Sequence, residues 1–262
     1  MILDTIYEQL SVKKDPLIWV RDEPTDDDIR HIRKSGEPSK FDTLGLRFKM
    51  LEDLGSGKAK LICKSSSFAK VLAIVYPDTE IPWDIFAKIF QAFGRPKKDT
   101  WRIVWFANPT KRHLPDTFVE PDESHVNGGY TYACEPSTIV IYRKEEVCRV
   151  LVHELLHAAC TDDMHHPEHI REVLTETWAE LFLIGILAKS KKDVKRLWDI
   201  QAQWIADQEQ ILMKYNVNSH ESYAWRYTVG RRAVLEKLGI PLPKAKNSEE
   251  TSLRFTSPQV LL

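Results

Sequence analysis

One ten-residue stretch constrains this chain more than any other: Val150-Leu151-Val152-His153-Glu154-Leu155-Leu156-His157-Ala158-Ala159. It reads H-E-x-x-H within good helix formers. Two histidines at i and i+4 lie about 40° apart on a helical wheel, so their rings can converge on one ion. Glu154 falls about 100° from His153, beside the pair but too far round to be an easy ligand of the same ion. Every other residue of the stretch is uncharged, so this helix is expected to be buried around most of its circumference. Buried polar side chains require compensation. Any one of the three has an ordinary explanation, a histidine bonded to a carbonyl or a glutamate in an ion pair. The triplet together points to a metal held by two neutral nitrogens, with a carboxylate beside it to take the proton of a metal-bound water.

The rest of the chain must supply a scaffold for that helix. With 262 residues, 43% of them hydrophobic, it can bury one full core. Its 37 basic and 38 acidic residues leave a formal charge of −1, which gives no field that would draw it to nucleic acid or to an anionic membrane. The longest apolar run, Leu181 to Ala188, is far short of a membrane span. Cys63, Cys134, Cys148 and Cys160 form no C-x-x-C pair, and Met1-Ile2-Leu3-Asp4 does not open a signal-peptide pattern. Free thiols and an intracellular, cytoplasmic setting are the resulting expectations.

Periodicity divides the chain into residues 1–57, an extension packed on the core, a principal domain over 58–242, and a polar tail over 243–262. The acidic run Asp22 to Asp28 reads as a solvated loop or helix start. Lys60–Lys64, Val71–Tyr76 and Trp101–Phe106 read as strands, with a helix over Ile81–Phe93 between the second and third. Gly128-Gly129-Tyr130 to Cys134 and Thr138 to Arg143 read as a hairpin joined by Glu135-Pro136-Ser137, just ahead of the histidine helix. Gly128, Gly129 and Tyr130 are candidates for substrate binding, because glycine lets a peptide backbone approach and an edge strand can pair with it; a plain hairpin with a glycine bulge fits equally well. Helices are predicted over His169–Ser190, Lys192–Tyr215 and Ser222–Leu238. The tail looks loosely held, with Val260-Leu261-Leu262 able to dock on the body. The fold class is α+β, a small mixed sheet with the H-E-x-x-H helix followed by a helical carboxyl-terminal half.

Zinc at a catalytic site needs a third protein ligand. Asp163 stands where H-E-x-x-H-x-x-G-x-x-H proteases place theirs, but Cys160 replaces the required glycine. His165, His166 and His169 lie in a polar loop. Thr175-Glu176-Thr177-Trp178-Ala179-Glu180 is the better source. Glu176 and Glu180 share the apolar arc of Leu183, Ile184 and Leu187, and two carboxylates there need a positive partner. Glu176 as ligand, with Glu180 accepting from a histidine N–H, satisfies both; an arginine or lysine from another helix would do so too.

His153-Glu154-x-x-His157 followed by Glu176 nineteen positions later, and by an acid at Glu180, resembles the gluzincin zinc metallopeptidases. Glu rather than Asp at 180 departs from their commonest pattern. Val126-Asn127-Gly128-Gly129-Tyr130-Thr131 and Ile139 to Glu146 are also similar to uncharacterised metallopeptidases encoded by large DNA viruses of eukaryotes, which implies host cytoplasm as a setting. The resemblance implies a zincin-like fold, one Zn2+ held by His153, His157 and Glu176, Glu154 as general base, and a peptide or protein substrate. It further implies an oxyanion donor on a later helix, for which His220, Tyr223 and Tyr227 are candidates; an aromatic pair at the Tyr223–Tyr227 spacing is also common in cores. Arg226, Arg231 or Arg232 binding a substrate carboxylate would make the chain a carboxypeptidase rather than an endopeptidase. The alternatives from other classes are a non-catalytic zincin-fold binding protein, which would have no need of Glu154, and a helical protein with an accidental motif. A DNA-associated protease would call for a zinc ribbon or basic tail that this sequence lacks.

Overall fold

The computed structural model describes residues 2–12, 15–246 and 250–261. Met1, which opens the amino-end reading, and residues 247–249 and Leu262 of the expected tail lie outside them. The fold is mixed α+β, with one six-stranded mixed sheet and nine α-helices among the described residues. The chain forms two compact units: Lys13–Lys111 with Asn127–Thr161, and Met1–Val12 with Arg112–Val126 and Asp162–Leu262. No helix among the described residues is long and apolar enough to cross a membrane.

The first unit contains the whole sheet. Its strands are β1 (Val20–Arg21), β2 (Lys60–Ser65), β3 (Ala69–Val75), β4 (Trp101–Phe106), β5 (Gly129–Tyr130) and β6 (Ile139–Ile141), in the order β1-β2-β3-β4-β6-β5. β3, β4 and β6 run parallel, and the remaining pairings are antiparallel. The central strands are nearly continuous apolar runs because both of their faces are covered. On one face α2 (Asp26–Ser35) and α3 (Leu46–Gly55) bring Ile32, Leu46 and Met50 onto Leu72, Ile74, Val104, Phe106 and Val140. On the other, Phe86 of α4 (Trp83–Phe93) meets Trp105 edge-on at 6.0 Å, and the histidine helix, α6 (Val147–Ala158), packs against α4, β5 and β6.

Local chemistry explains the element ends. Thr25 and Asp28 form a reciprocal capping box at the start of α2. The acidic run is therefore more than a solvated face: Asp28 is buried, with its carboxylate 2.7 Å from Lys70 Nζ. The expected hairpin exists as the antiparallel β5–β6 pair, with Gly129 opposite Ile141 and Tyr130 opposite Val140. Its strands are shorter than expected, and the connection spans residues 131–138 rather than a three-residue turn.

The second unit is helical. It comprises α1 (Ile2–Leu10), α5 (Glu123–Val126), α7 (Glu168–Leu187), α8 (Lys191–Met213) and α9 (Arg231–Lys237). Leu3 and Ile6 of α1 join Leu181 and Ile184 of α7, and Val194, Leu197 and Trp198 of α8, in one apolar cluster. The helix expected over Ser222–Leu238 is instead a 3-10 turn at Ala224–Tyr227 and the short α9. Gly230 marks the break: a Cβ there would lie 2.6 Å from Val173 Cγ2 and 3.0 Å from Trp225 Cζ3, so the backbone presses on both side chains.

Residues 250–261, expected to be loosely held, are packed. Leu253, Phe255 and Val260 are buried. Gln201 and Trp204 of α8 donate to the carbonyls of Phe255 and Arg254 at 2.8 and 3.0 Å, and Ser257 N–H donates back to Gln201 Oε1 at 2.8 Å. Burial of Val260 agrees with the expected docking of the last residues, while the polar composition concealed two further apolar anchors, Leu253 and Phe255. Phe255→Ala is expected to destabilise the protein by about 3–5 kcal/mol in denaturant titration, the range for emptying a buried aromatic site. A loosely held segment would register no change.

Candidate metal centre

α6 places the two histidines. Residues Val147 to Leu156 and Ala158 are all buried, as the uncharged flanks of the motif led us to expect. The helix starts from Glu146, in the left-handed region at φ 59°. One turn apart, His153 and His157 bring their Nε2 atoms to 3.1 Å, with ring centroids 4.7 Å apart and planes at 75°. Two nitrogens on a tetrahedral zinc at ordinary bond lengths stand about 3.3 Å from each other. The ring geometry therefore fits a shared metal ion without rearrangement of the helix.

Glu154 is buried on the same helix and faces β5. A Cβ built on Gly129 would fall 3.0 Å from Glu154 Oε1, 2.6 Å from Val150 Cγ1 and 3.0 Å from Val140 O. Gly129 is thus required by the close approach of the helix to the strand, and the carboxylate lies against strand backbone. Gly128 contributes its carbonyl to Tyr142 N–H at 2.8 Å, which continues the β5–β6 pairing. Tyr130, expected to meet substrate, has its phenol engaged by Arg47 Nη1 at 2.9 Å and its ring stacked on Phe41 at 5.0 Å.

The end of α6 corrects one expectation. Cys134 and Cys160 are disulfide-bonded, while Cys63 and Cys148 are free and buried. Burial pushes the Cys63 thiol up to about 11 and that of Cys148 to about 12. Four free thiols were expected because widely spaced cysteines carry no sign of their separation in the fold. The bridge joins the β5–β6 connection to the residue just beyond α6. Both half-cystines also donate their backbone N–H to the His157 carbonyl, at 3.0 Å from Cys134 and 3.1 Å from Cys160.

The acidic candidates stand on α7. Glu176 and Glu180 are buried, as their place in the apolar arc implied. Glu180 lies 3.5 Å from Arg231 Nη1 and accepts from Thr256 Oγ1 at 3.3 Å. This is the arginine partnership that the sequence left open beside a histidine-orienting role.

Tyr223 and Tyr227 have ring centroids 5.4 Å apart, and Tyr227 also stacks on Phe255 at 6.4 Å. Burial, then the charge of Glu172, holds the Tyr227 phenol well above its ordinary range. His220 is exposed and stacks on His169 at 5.0 Å. The three arginines considered for a substrate carboxylate have carboxylate partners in the chain: Arg226 with Glu168 at 3.1 Å, Arg231 with Glu180, and Arg232 with Glu209 at 2.7 Å. Asp163, His165 and His166 are exposed, and His166 Nε2 lies 3.7 Å from Asp163 Oδ2.

The disulfide makes a direct prediction. Non-reducing peptide mapping is expected to recover Cys134 and Cys160 in one linked species. Cys134→Ser should cost about 3 kcal/mol of stability, as expected for a loop of this size, and should loosen the last turn of α6.

No protein-family model, curated protein or solved structure matches this chain.

Proposed function

We propose that this chain is a zinc-dependent peptidase of the gluzincin type, with a zincin-like arrangement around α6. The observation that carries the reading is the 3.1 Å approach of two imidazole nitrogens on a buried helix that also carries Glu154. At that separation the two nitrogens share either one proton, as an N–H···N hydrogen bond, or one metal ion; the ion is preferred, because the H-E-x-x-H spacing sets a carboxylate beside the pair. His153 and His157 are the two nitrogen ligands, and an α7 carboxylate completes the set. Glu176 is assigned by its spacing from His157.

When bound, zinc would supply a water of lowered pKa and polarise the scissile carbonyl. The chain's own residues do the rest. Glu154 accepts the proton from the attacking water at its carboxylate and returns it to the leaving amine. Gly129 keeps β5 close to that carboxylate, and the edge position of β5 lets an extended peptide align beside it. Tyr227, Tyr223 and His220 remain the candidates for the oxyanion donor. The carboxylate partners of Arg226, Arg231 and Arg232 support an endopeptidase over a carboxypeptidase. The cytoplasmic setting belongs to the same proposal. It requires the Cys134–Cys160 bridge to persist against a reducing thiol pool, and alkylation of thiols in intact cells tests that.

Metal analysis of the purified protein is expected to give one zinc per chain, lost in His153→Ala and His157→Ala. Glu154→Gln should retain the zinc and lose peptide hydrolysis by on the order of 10³-fold or more. A folded protein that binds no zinc refutes the proposal. Unchanged function in Glu154→Gln would mark a binding protein instead. Glu176→Gln should weaken zinc affinity by about 10–100-fold or more.

A further inference from the structure

The peptidase reading leaves unexplained a fully buried arginine remote in sequence from the motif. Arg47 of α3 is 1% exposed. A buried guanidinium is costly unless all its donors are used, and here every one is. Nε donates to Asp42 Oδ2 at 3.1 Å; Nη1 to Ser35 O at 2.6 Å and Tyr130 Oη at 2.9 Å; Nη2 to Glu37 O at 3.0 Å and Ser39 Oγ at 2.6 Å. Asp42 is fixed in turn by the backbone N–H groups of Leu46 and Arg47, each at 2.9 Å. Four of these five contacts gather the segment 35–42 into one rigid turn. The fifth reaches across 83 residues of sequence to the side chain of Tyr130.

That contact falls on one of the two shortest strands of the sheet. β5 has two residues, lies at the sheet edge and, among the described residues, pairs only with β6. Short edge strands fray unless something holds them. Tyr130 is held three ways: its phenol by Arg47, its ring by Phe41 at 5.0 Å and 15°, and its face by the guanidinium carbon 5.2 Å from the ring centre. Phe41 is anchored by its carbonyl, which accepts from Tyr142 Oη and from Asn127 Nδ2. The residue next to Tyr130 is Gly129, whose missing Cβ would meet Glu154 Oε1 at 3.0 Å.

Resting on the assignment of Glu154 as the base, we infer that Arg47 is a positioning residue for the reaction: it locks Tyr130, Tyr130 locks β5, and β5 fixes the wall against which the Glu154 carboxylate lies. The same lock sets the depth of the edge that receives the peptide. The segment 35–47 is therefore part of the machinery rather than an extension laid on its surface.

Tyr130→Phe tests this with the least disturbance, because it keeps the ring stack and removes only the phenol contact to Arg47. Zinc-loaded Tyr130→Phe is expected to keep its metal content and lose on the order of 10–100-fold in kcat, the scale of a small misplacement of a reacting group. KM for a short peptide should change less than kcat. Arg47→Lys, which retains the charge but not the fork, should lose more, and Arg47→Met is the variant that risks misfolding. An unchanged kcat in folded, zinc-loaded Tyr130→Phe overturns the inference. A second arm needs no turnover: amide hydrogen exchange in residues 128–132 of the full chain should quicken about tenfold in Tyr130→Phe, while β3 and β4 are unaffected. Unchanged exchange overturns the coupling even if the enzyme is active. Absence of hydrolysis in the wild-type protein would sink the peptidase reading, and the exchange arm would still decide whether Arg47 holds β5.

Discussion

Two imidazole nitrogens 3.1 Å apart in a buried helix are the constraint on which the sheet unit is arranged. His153 is buried and His157 half-buried, on a helix enclosed along nearly its whole length. The enclosure itself follows from the sheet. β6 and β5 lie under α6, α4 flanks it, and its apolar residues are consumed by these neighbours. Burial strengthens the electrostatic interactions of His153 and Glu154, and the proposed zinc would act within that enclosure.

Around this helix the unit fixes backbone more tightly than side chain. Gly129 is held against Glu154 and Val150 by the absence of a single carbon. The disulfide and two N–H groups hold the carbonyl of His157. Arg47 holds the strand that carries Gly129. Under the proposed function, these restraints would hold the wall beside Glu154 in place. The helical unit has buried charges of its own. Glu180 and Arg231 are neutralised in place, and a polar carboxyl-terminal segment is carried in by Leu253, Phe255 and Val260.

Much of this was legible in the sequence where the signal is local. The continuous apolar runs of β3 and β4, the 3.6-residue pattern of α4, α7 and α8, and the uncharged flanks of H-E-x-x-H are each visible within a short window of residues. The break at Gly230 was not, because a single glycine is tolerated in helices and only the proximity of Val173 and Trp225 requires it there. The packed segment 250–261 was hidden for a similar reason: its partners are side-chain amides and an indole on α8, and these carry no pattern in the segment itself.

The sequence alone determined which residues must share a helix face, and hence that His153 and His157 would converge beside Glu154, because the helical repeat is fixed by backbone geometry. It likewise determined that Glu176 and Glu180 would be buried, since they fall within an apolar arc. Only the tertiary structure decided that Cys134 meets Cys160, that Glu180 pairs with Arg231, and that Arg47 reaches Tyr130. Those contacts join residues 26, 51 and 83 positions apart. No local period encodes such distances; they are set by how the strands are ordered and by which helix each face covers.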